Sequence, residues 1–285
     1  MKRKKILLTA FFSGMTACFL LSGCIKNKQV VGEAEITSIQ ADTVIKLKPE
    51  AGNSPTCKIH LDFMYLKPFS EQDSLSQKIN STLQGAFSDE RFRNLPTSKF
   101  IDSIRNSYIT SYRDDLLNYY EADLQNKTIE DIPAWYNYEY DVTSELSIGR
   151  DSIWNYAITS FQNTGGAHPN TWTKWLNIES TTGKLLTKNT VFLSGSEKAI
   201  CDLILKYLLI EANKRLNGSE QLQDIDDLHE VGILLDGDLY VPDNFLLASD
   251  GITFLFNRYE IAPYSMGDFQ LHIPYAEIET YLIKK

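Results

Sequence analysis

The sequence predicts an α+β fold of antiparallel sheets packed with helices, in two tightly associated subdomains. Two observations carry that expectation. Strand-type alternation and helix-type spacing fall in separate blocks, not in the regular βαβ succession of a parallel sheet. The 285 residues are 43% hydrophobic and 12% aromatic, enough apolar material for more than one packed core. The expected divisions are a leader at 1–23, a tether at 24–32, and subdomains at 33–165 and 166–285.

The elements follow in order. Ile36, Ile39, Val44, Ile45 and Leu47 give residues 34–47 strand character, and the stretch from Pro49 to Pro55 is turn chemistry. From Cys57 the chain alternates. Cys57, Ile59, Leu61 and Phe63 share one face, and Lys58, His60 and Asp62 share the other. Helical spacing of Leu75, Ile79 and Leu83 predicts a helix over 70–87. A longer one over 97–126 carries Phe100, Ile104, Tyr108, Tyr112, Leu116 and Tyr120. Its tyrosines read as a core face with wet phenol tips.

Strands are expected at 135–148, 153–162 and 171–178, with Gly149-Arg150-Asp151 as a hairpin connection and Thr181-Thr182-Gly183-Lys184 as a turn. Ser194 and Glu197 form a capping box for a helix that ends before Gly218. Ile200 to Ile210 is apolar nearly all round, which predicts burial of that helix on a sheet. Ser249-Asp250-Gly251 joins strands at 244–248 and 252–256. A strand at 269–273 leads to Pro274 as the first residue of a terminal helix.

The N-terminus reads as a lipoprotein leader. Lys2, Arg3, Lys4 and Lys5 precede an apolar run to Leu21, which is shorter and more interrupted than the about 20 residues of a membrane span. Leu21-Ser22-Gly23-Cys24 is a lipobox, so lipidation is expected at Cys24 after cleavage before it. A diacylglycerol there would hold the mature chain stably on a membrane. Residue 25 is Ile and not Asp, and no acidic export run follows. The expected location is the outer membrane, facing the periplasm.

Charge narrows the partners. The chain has 28 basic and 37 acidic residues. Loss of the four leader bases leaves 24 against 37, or −13. With no basic stripe to neutralise phosphates, nucleic acid is excluded as a partner. A basic protein would be steered toward the surface. Cys57 and Cys201 remain after the lipidated cysteine, and two lone buried thiols are the commoner outcome for such a pair.

No catalytic set emerges. The sequence lacks a Gly-x-Ser-x-Gly elbow, a Walker loop, a dinucleotide fingerprint and a His-Glu-x-x-His pair. His60, His168, His229 and His272 carry no ligand spacing, and no cofactor or metal is expected. Asp224, Asp226, Asp227, Glu230, Asp236, Asp238 and Asp243 form an acidic stretch without EF-hand spacing, which reads as a solvated loop. The Gly165-Gly166-Ala167-His168-Pro169 turn has two readings. It is a structural connection between strands, or a tight loop presenting His168 and backbone N–H groups to a ligand.

The order of motifs resembles a known extracytoplasmic module. Ser160-Phe161-Gln162-Asn163-Thr164-Gly165-Gly166-Ala167-His168 is similar to its Tyr-x-Gly-Gly-Ala-His turn. The segment from Asn177 to Thr187 is similar to its Asn-Phe-Asp-x-x-Thr-Gly-Lys-x-Leu-Thr segment. The stretches from Phe245 to Gly251, Tyr259 to Gly267 and Ile273 to Ile278 follow in the same order. This module is the domain pair of RsiV-type anti-sigma factors and of the non-catalytic part of PdaC-type peptidoglycan deacetylases. The resemblance implies a non-enzymatic α+β binding module, with a protein or glycan of the envelope as ligand and lysozyme as a candidate; a monomer is expected. Binding residues expected on it are Gly165, Gly166, His168, Tyr259 and Tyr264. The enzyme alternative is a cryptic hydrolase acting on cell-wall glycan at Gly165 to His168.

Overall fold

The computed structural model describes residues 30–284 apart from 32–33, 128–131, 217, 219–220 and 236. Cys24, the leader and most of the tether lie outside the described residues, as does Asp236. No described helix is long and apolar enough to cross a membrane.

A seven-stranded sheet runs β1 (Val30–Val31), β2 (Ala34–Lys46), β3 (Thr56–Lys67), β4 (Tyr138–Ile148), β5 (Ile153–Asn163), β6 (Asn170–Glu179) and β7 (Leu185–Leu186), in sequence order. Every pairing is antiparallel except β3 with β4. Between those two strands lie α1 (Ser74–Phe87) and α2 (Thr97–Asn126), the crossover that a parallel pair requires. Asp73 accepts from Ser76 N and starts α1 four residues later than the spacing suggests. Cys57, Ile59, Leu61 and Phe63 face the two helices. They form the first core with Ile79, Leu83, Phe100, Ile104, Tyr112, Leu116 and Tyr120.

The second unit contains α3 (Lys188–Val191), α4 (Glu197–Leu216), α5 (Ile225–Glu230), β8 (Phe245–Leu247), β9 (Gly251–Phe256), β10 (Phe269–Pro274) and α6 (Tyr275–Ile278). Its sheet has the order β10-β9-β8, all antiparallel. α4 packs on β10 through Ile200, Ile204, Leu208 and Ala212, four residues apart along one face. Leu203 is half-buried and Ile210 is exposed, so the helix is covered on one side and not all round.

Several local expectations change. The 165/166 division falls in the β5–β6 connection, and β6 pairs with β5 from Asn170 to Glu179 across it. The apolar contacts cross the division both ways: Ile178 belongs to the first core, and Ile153 and Leu186 belong to the second. Ser196, not Ser194, stands at the head of α4, where its carbonyl accepts from Ile200 N. Pro274 is the N-cap of α6 and the last residue of β10, not the first helical residue, because its ψ of 146° is still extended. The segment 134–136 is a short 3-10 turn after Pro133, so β4 starts at Tyr138. In the Gly149 connection the left-handed residues are Asp151 and Ser152. Gly149 is needed for closeness, since a Cβ there would lie 2.0 Å from Leu247 O. The acidic stretch is partly helical: Asp224 caps α5, accepting from Asp226 N and Asp227 N. No metal-binding group occurs among the described residues. Cys57 and Cys201 are free thiols, and burial pushes Cys57 up to about 12.

Two outcomes follow from this packing. Leu208→Asp buries an unpaired charge between α4 and β10 and should cost more than about 4 kcal/mol. Ile210→Asp on the open side should change stability by less than about 0.5 kcal/mol in urea unfolding. On the outer sheet face His60 Nδ1 lies 2.6 Å from Asp42 Oδ1. That hydrogen bond raises the imidazole pKa, assisted by the carboxylates of Asp141 and Asp62. The folded value exceeds the unfolded one, so the stabilisation is complete below about pH 6.5 and lost as pH rises through the folded value. Urea midpoints measured across that interval should fall more steeply for wild type than for Asp42→Asn.

Candidate functional site

The β5–β6 connection is built around Gly165. Its φ of +78° is left-handed, and a Cβ would lie 2.4 Å from Trp135 O. Asn163 Oδ1 accepts from Gly165 N at 3.2 Å and closes the turn. Only glycine permits the loop to lie on the Trp135 backbone. Gly166 is open, with its nearest neighbour, His168 O, 3.8 Å from a Cβ. The loop then delivers His168, which is exposed, onto a ring of the second unit.

That ring is Tyr264, stacked on His168 with centroids 4.6 Å apart and planes 12° from parallel. Arg258 also holds Tyr264. Arg258 Nη1 donates to its hydroxyl at 3.0 Å, and the guanidinium carbon lies 4.8 Å from the ring centroid. Tyr259 is next, 5.4 Å from Tyr264. It has φ +66°, which a bulky residue rarely adopts, and it is 66% exposed. The turn that imposes this closes by Glu260 N to Asn257 O and by Asn257 N to Glu260 Oε2. Trp135 sits under the loop, 40% exposed and stacked on buried Tyr136 at 3.9 Å. Tyr136 is itself fixed, donating from its hydroxyl to Asp123 Oδ2 and accepting from Tyr112 OH at its carbonyl.

His168, Tyr264 and Tyr259 thus form an aromatic ridge with contributions from both units, and the Trp135 backbone supports the glycine loop that carries His168. The sequence singled out His168, Tyr259 and Tyr264, and the fold brings these three together. Gly165 supports the loop from beneath. Gly166 lies on the loop's open side without contact to the rings. Trp135 and Arg258 were missed. Trp135 read only as a strand residue, and the use of Arg258 depends on a tyrosine six residues on.

Among the described residues His168 has a ring contact and no hydrogen bond or ion pair. A hydroxyl, an imidazole and a carboxylate do converge elsewhere. Thr253 Oγ1 lies 3.0 Å from His272 Nδ1, and His272 Nε2 lies 3.6 Å from Asp250 Oδ1. Thr253 and His272 are cross-strand partners, and the second distance is beyond a hydrogen bond.

Comparison with known proteins follows the two units. Residues 50–171 match the family model described as Deacetylase PdaC, and residues 186–276 match Protein of unknown function (DUF3298). The chain carries this domain pair. The crystal structure of a DUF3298 family member from Bacteroides fragilis is 29% identical, with a TM-score of 0.78 over 89% of this chain and 95% of that one. A DUF3298 family protein from Pseudomonas aeruginosa shares the fold at 17% identity and a TM-score of 0.55, over 87% of this chain and 94% of its own. A Mycobacterium tuberculosis protein named as an esterase is 29% identical over 144 residues, or 50% of this chain. The match spans 59% of that relative's length.

Gly165 and Gly166 should respond differently to a methyl group. Gly165→Ala forces a left-handed alanine against Trp135 O and should cost about 1–3 kcal/mol. Gly166→Ala meets open space and should stay within about 0.5 kcal/mol of wild type in urea unfolding.

Proposed function

We propose that this chain is a non-enzymatic binding module of the bacterial envelope, anchored through a lipid on Cys24, with its ligand contacted at the aromatic ridge. The supporting observation is the ridge itself. Three rings from two loops stand side by side on the surface, one held in a left-handed conformation while two-thirds exposed. Exposed, preorganised tyrosine and tryptophan side chains offer large contact area at low entropic cost, as protein-recognition surfaces do. The ligand is a protein or a glycan of the periplasm. A basic, lysozyme-like protein suits the acidic balance of the chain, which would speed its approach. The location is the periplasmic side of the outer membrane.

The test uses surface plasmon resonance against lysozyme at low and physiological ionic strength. Association should slow as salt rises, and Tyr259→Ala with His168→Ala should weaken binding by about tenfold or more, within the about 2 kcal/mol of an interface anchor. Absence of binding at micromolar concentration in both salts would remove lysozyme. Cys24→Ser should release the protein from membranes after a salt wash.

A second reading, a hydrolase, is favoured by the esterase-named relative and by the Thr253–His272–Asp250 arrangement. It predicts turnover of p-nitrophenyl acetate that His272→Ala abolishes and His168→Ala leaves intact.

A further inference from the structure

The two helices of the first unit do not cover its sheet fully. α1 and α2 lean chiefly on β2 and β3. At the far side, Val142, Ser160 and Trp172 lie in register across β4, β5 and β6, the first two buried and Trp172 half-buried. The result is a cleft of about 260 Å3 between the strands, α2 and the turn that follows α1.

Its lining is unusual for a gap beside a core. Ser107 and Ser111, one helical turn apart, present hydroxyls from α2, with Tyr108 between them. Arg91 reaches across the mouth: Nη2 donates to Ser107 Oγ at 2.9 Å, and Nε lies 3.6 Å from Asp89 Oδ2. Asp89 is in turn positioned by accepting from Arg91 N at 2.9 Å. On the floor Ser160 is fully buried and accepts from Gln162 Nε2 at 3.4 Å. Trp172, half-buried, supplies an aromatic wall.

We infer that this cleft binds a single saccharide ring. A pyranose has an apolar C–H face and a rim of hydroxyls that each donate and accept. It therefore needs an aromatic surface beside planar or hydroxylic polar groups, and Trp172 and Tyr108 stand beside Arg91, Gln162, Ser107 and Ser111. The guanidinium is offset by Asp89, so the mouth has no surplus charge to favour a phosphate or a carboxylate. The volume lies below the about 300 Å3 at which drug-sized sites begin, which suits one ring with the rest of a chain outside. The cleft shares no residue with the aromatic ridge, so the ligand class named here and the ridge reading fail separately.

The experiment is isothermal titration of the full chain in a sugar-free polyoxyethylene detergent with maltotriose, cellotriose and chitotriose, each to millimolar concentration. At least one should bind and quench tryptophan fluorescence. Trp172→Ala should weaken that binding about tenfold or more, equivalent to about 1.4 kcal/mol. Arg91→Ala should weaken it several-fold, and Ser111→Trp, which fills the mouth from an exposed position, should abolish it with an unchanged melting temperature. His168→Ala should leave it unchanged. If Trp172→Ala does not fold, the Arg91 and Ser111 variants decide. Failure of all three sugars to bind overturns the inference. So does binding that survives Arg91→Ala and Ser111→Trp undiminished, or binding that His168→Ala removes.

Discussion

The arrangement of the two units depends on a set of asparagine amides that close open strand edges. β7 is only two residues long, so most of β6 has no neighbour on that side. Unpaired N–H and C=O groups along such an edge are costly when buried and invite foreign strands when exposed. Asn244 answers this by donating from Nδ2 to Thr173 O and accepting at Oδ1 from Trp175 N, each at 2.7 Å. Asn257 adds Thr173 N to Oδ1 at 2.7 Å and Nδ2 to Thr173 O at 3.0 Å. The exchange is reciprocal. Buried Asn177 of β6 donates to Phe245 O and accepts from Leu247 N, both at 2.8 Å, and Asn155 of β5 donates to Leu247 O at 3.1 Å. Each amide does what a neighbouring strand would do, one peptide unit at a time.

The aromatic ridge is a consequence of that clasp. Asn257 opens the turn that carries Tyr259, and Thr173 lies on the strand that leaves the His168 loop. When Asn257 binds Thr173, it fixes the loop of one unit against the turn of the other. The His168–Tyr264 stack then forms across a seam already aligned by hydrogen bonds. A stack of two partly exposed rings is worth about 0.5–1.5 kcal/mol beyond its buried area, too little to align two units alone. The buried amide bonds, with a cost of about 1–3 kcal/mol for each group left unpaired, are the stronger constraint.

The sequence made the elements legible where the signal is periodic and local. The alternation from Cys57 to Phe63 and the three- and four-residue spacing from Phe100 to Tyr120 report burial directly. The Gly-Gly-Ala-His turn could be found because Gly165 needs a left-handed φ. The clasp could not be found, because an asparagine within a strand or a loop looks like any polar residue until its partner, 68 to 92 positions away, is known. The same non-local dependence hid the parallel pairing of β3 with β4 and the contribution of Ile153 on β5 to the second core. The left-handed Tyr259 was also hidden: tyrosine carries no local preference for it, and the turn that imposes it is closed by Glu260 and Asn257.

The conformation of Tyr259 bears on what kind of site the ridge is. A left-handed tyrosine costs free energy, and in a loop free to relax it would revert to an ordinary φ. Here the entry to the turn is fixed, by Asn257 on Thr173 and by Arg258 N donating to Asp268 Oδ1 at 3.1 Å. The phenol is held outward, away from either core, although burial would recover apolar contact. A ring kept exposed at such a cost, beside two further rings, suits the binding reading proposed above. Chemistry on a substrate would require, in addition, a base, a nucleophile and an anion-stabilising donor around one point. On the ridge the polar groups are turned to other tasks: Arg258 supports Tyr264, and Glu260 accepts from Tyr240 OH and Asn257 N. Their hydrogen-bonding capacity is directed at shaping the surface.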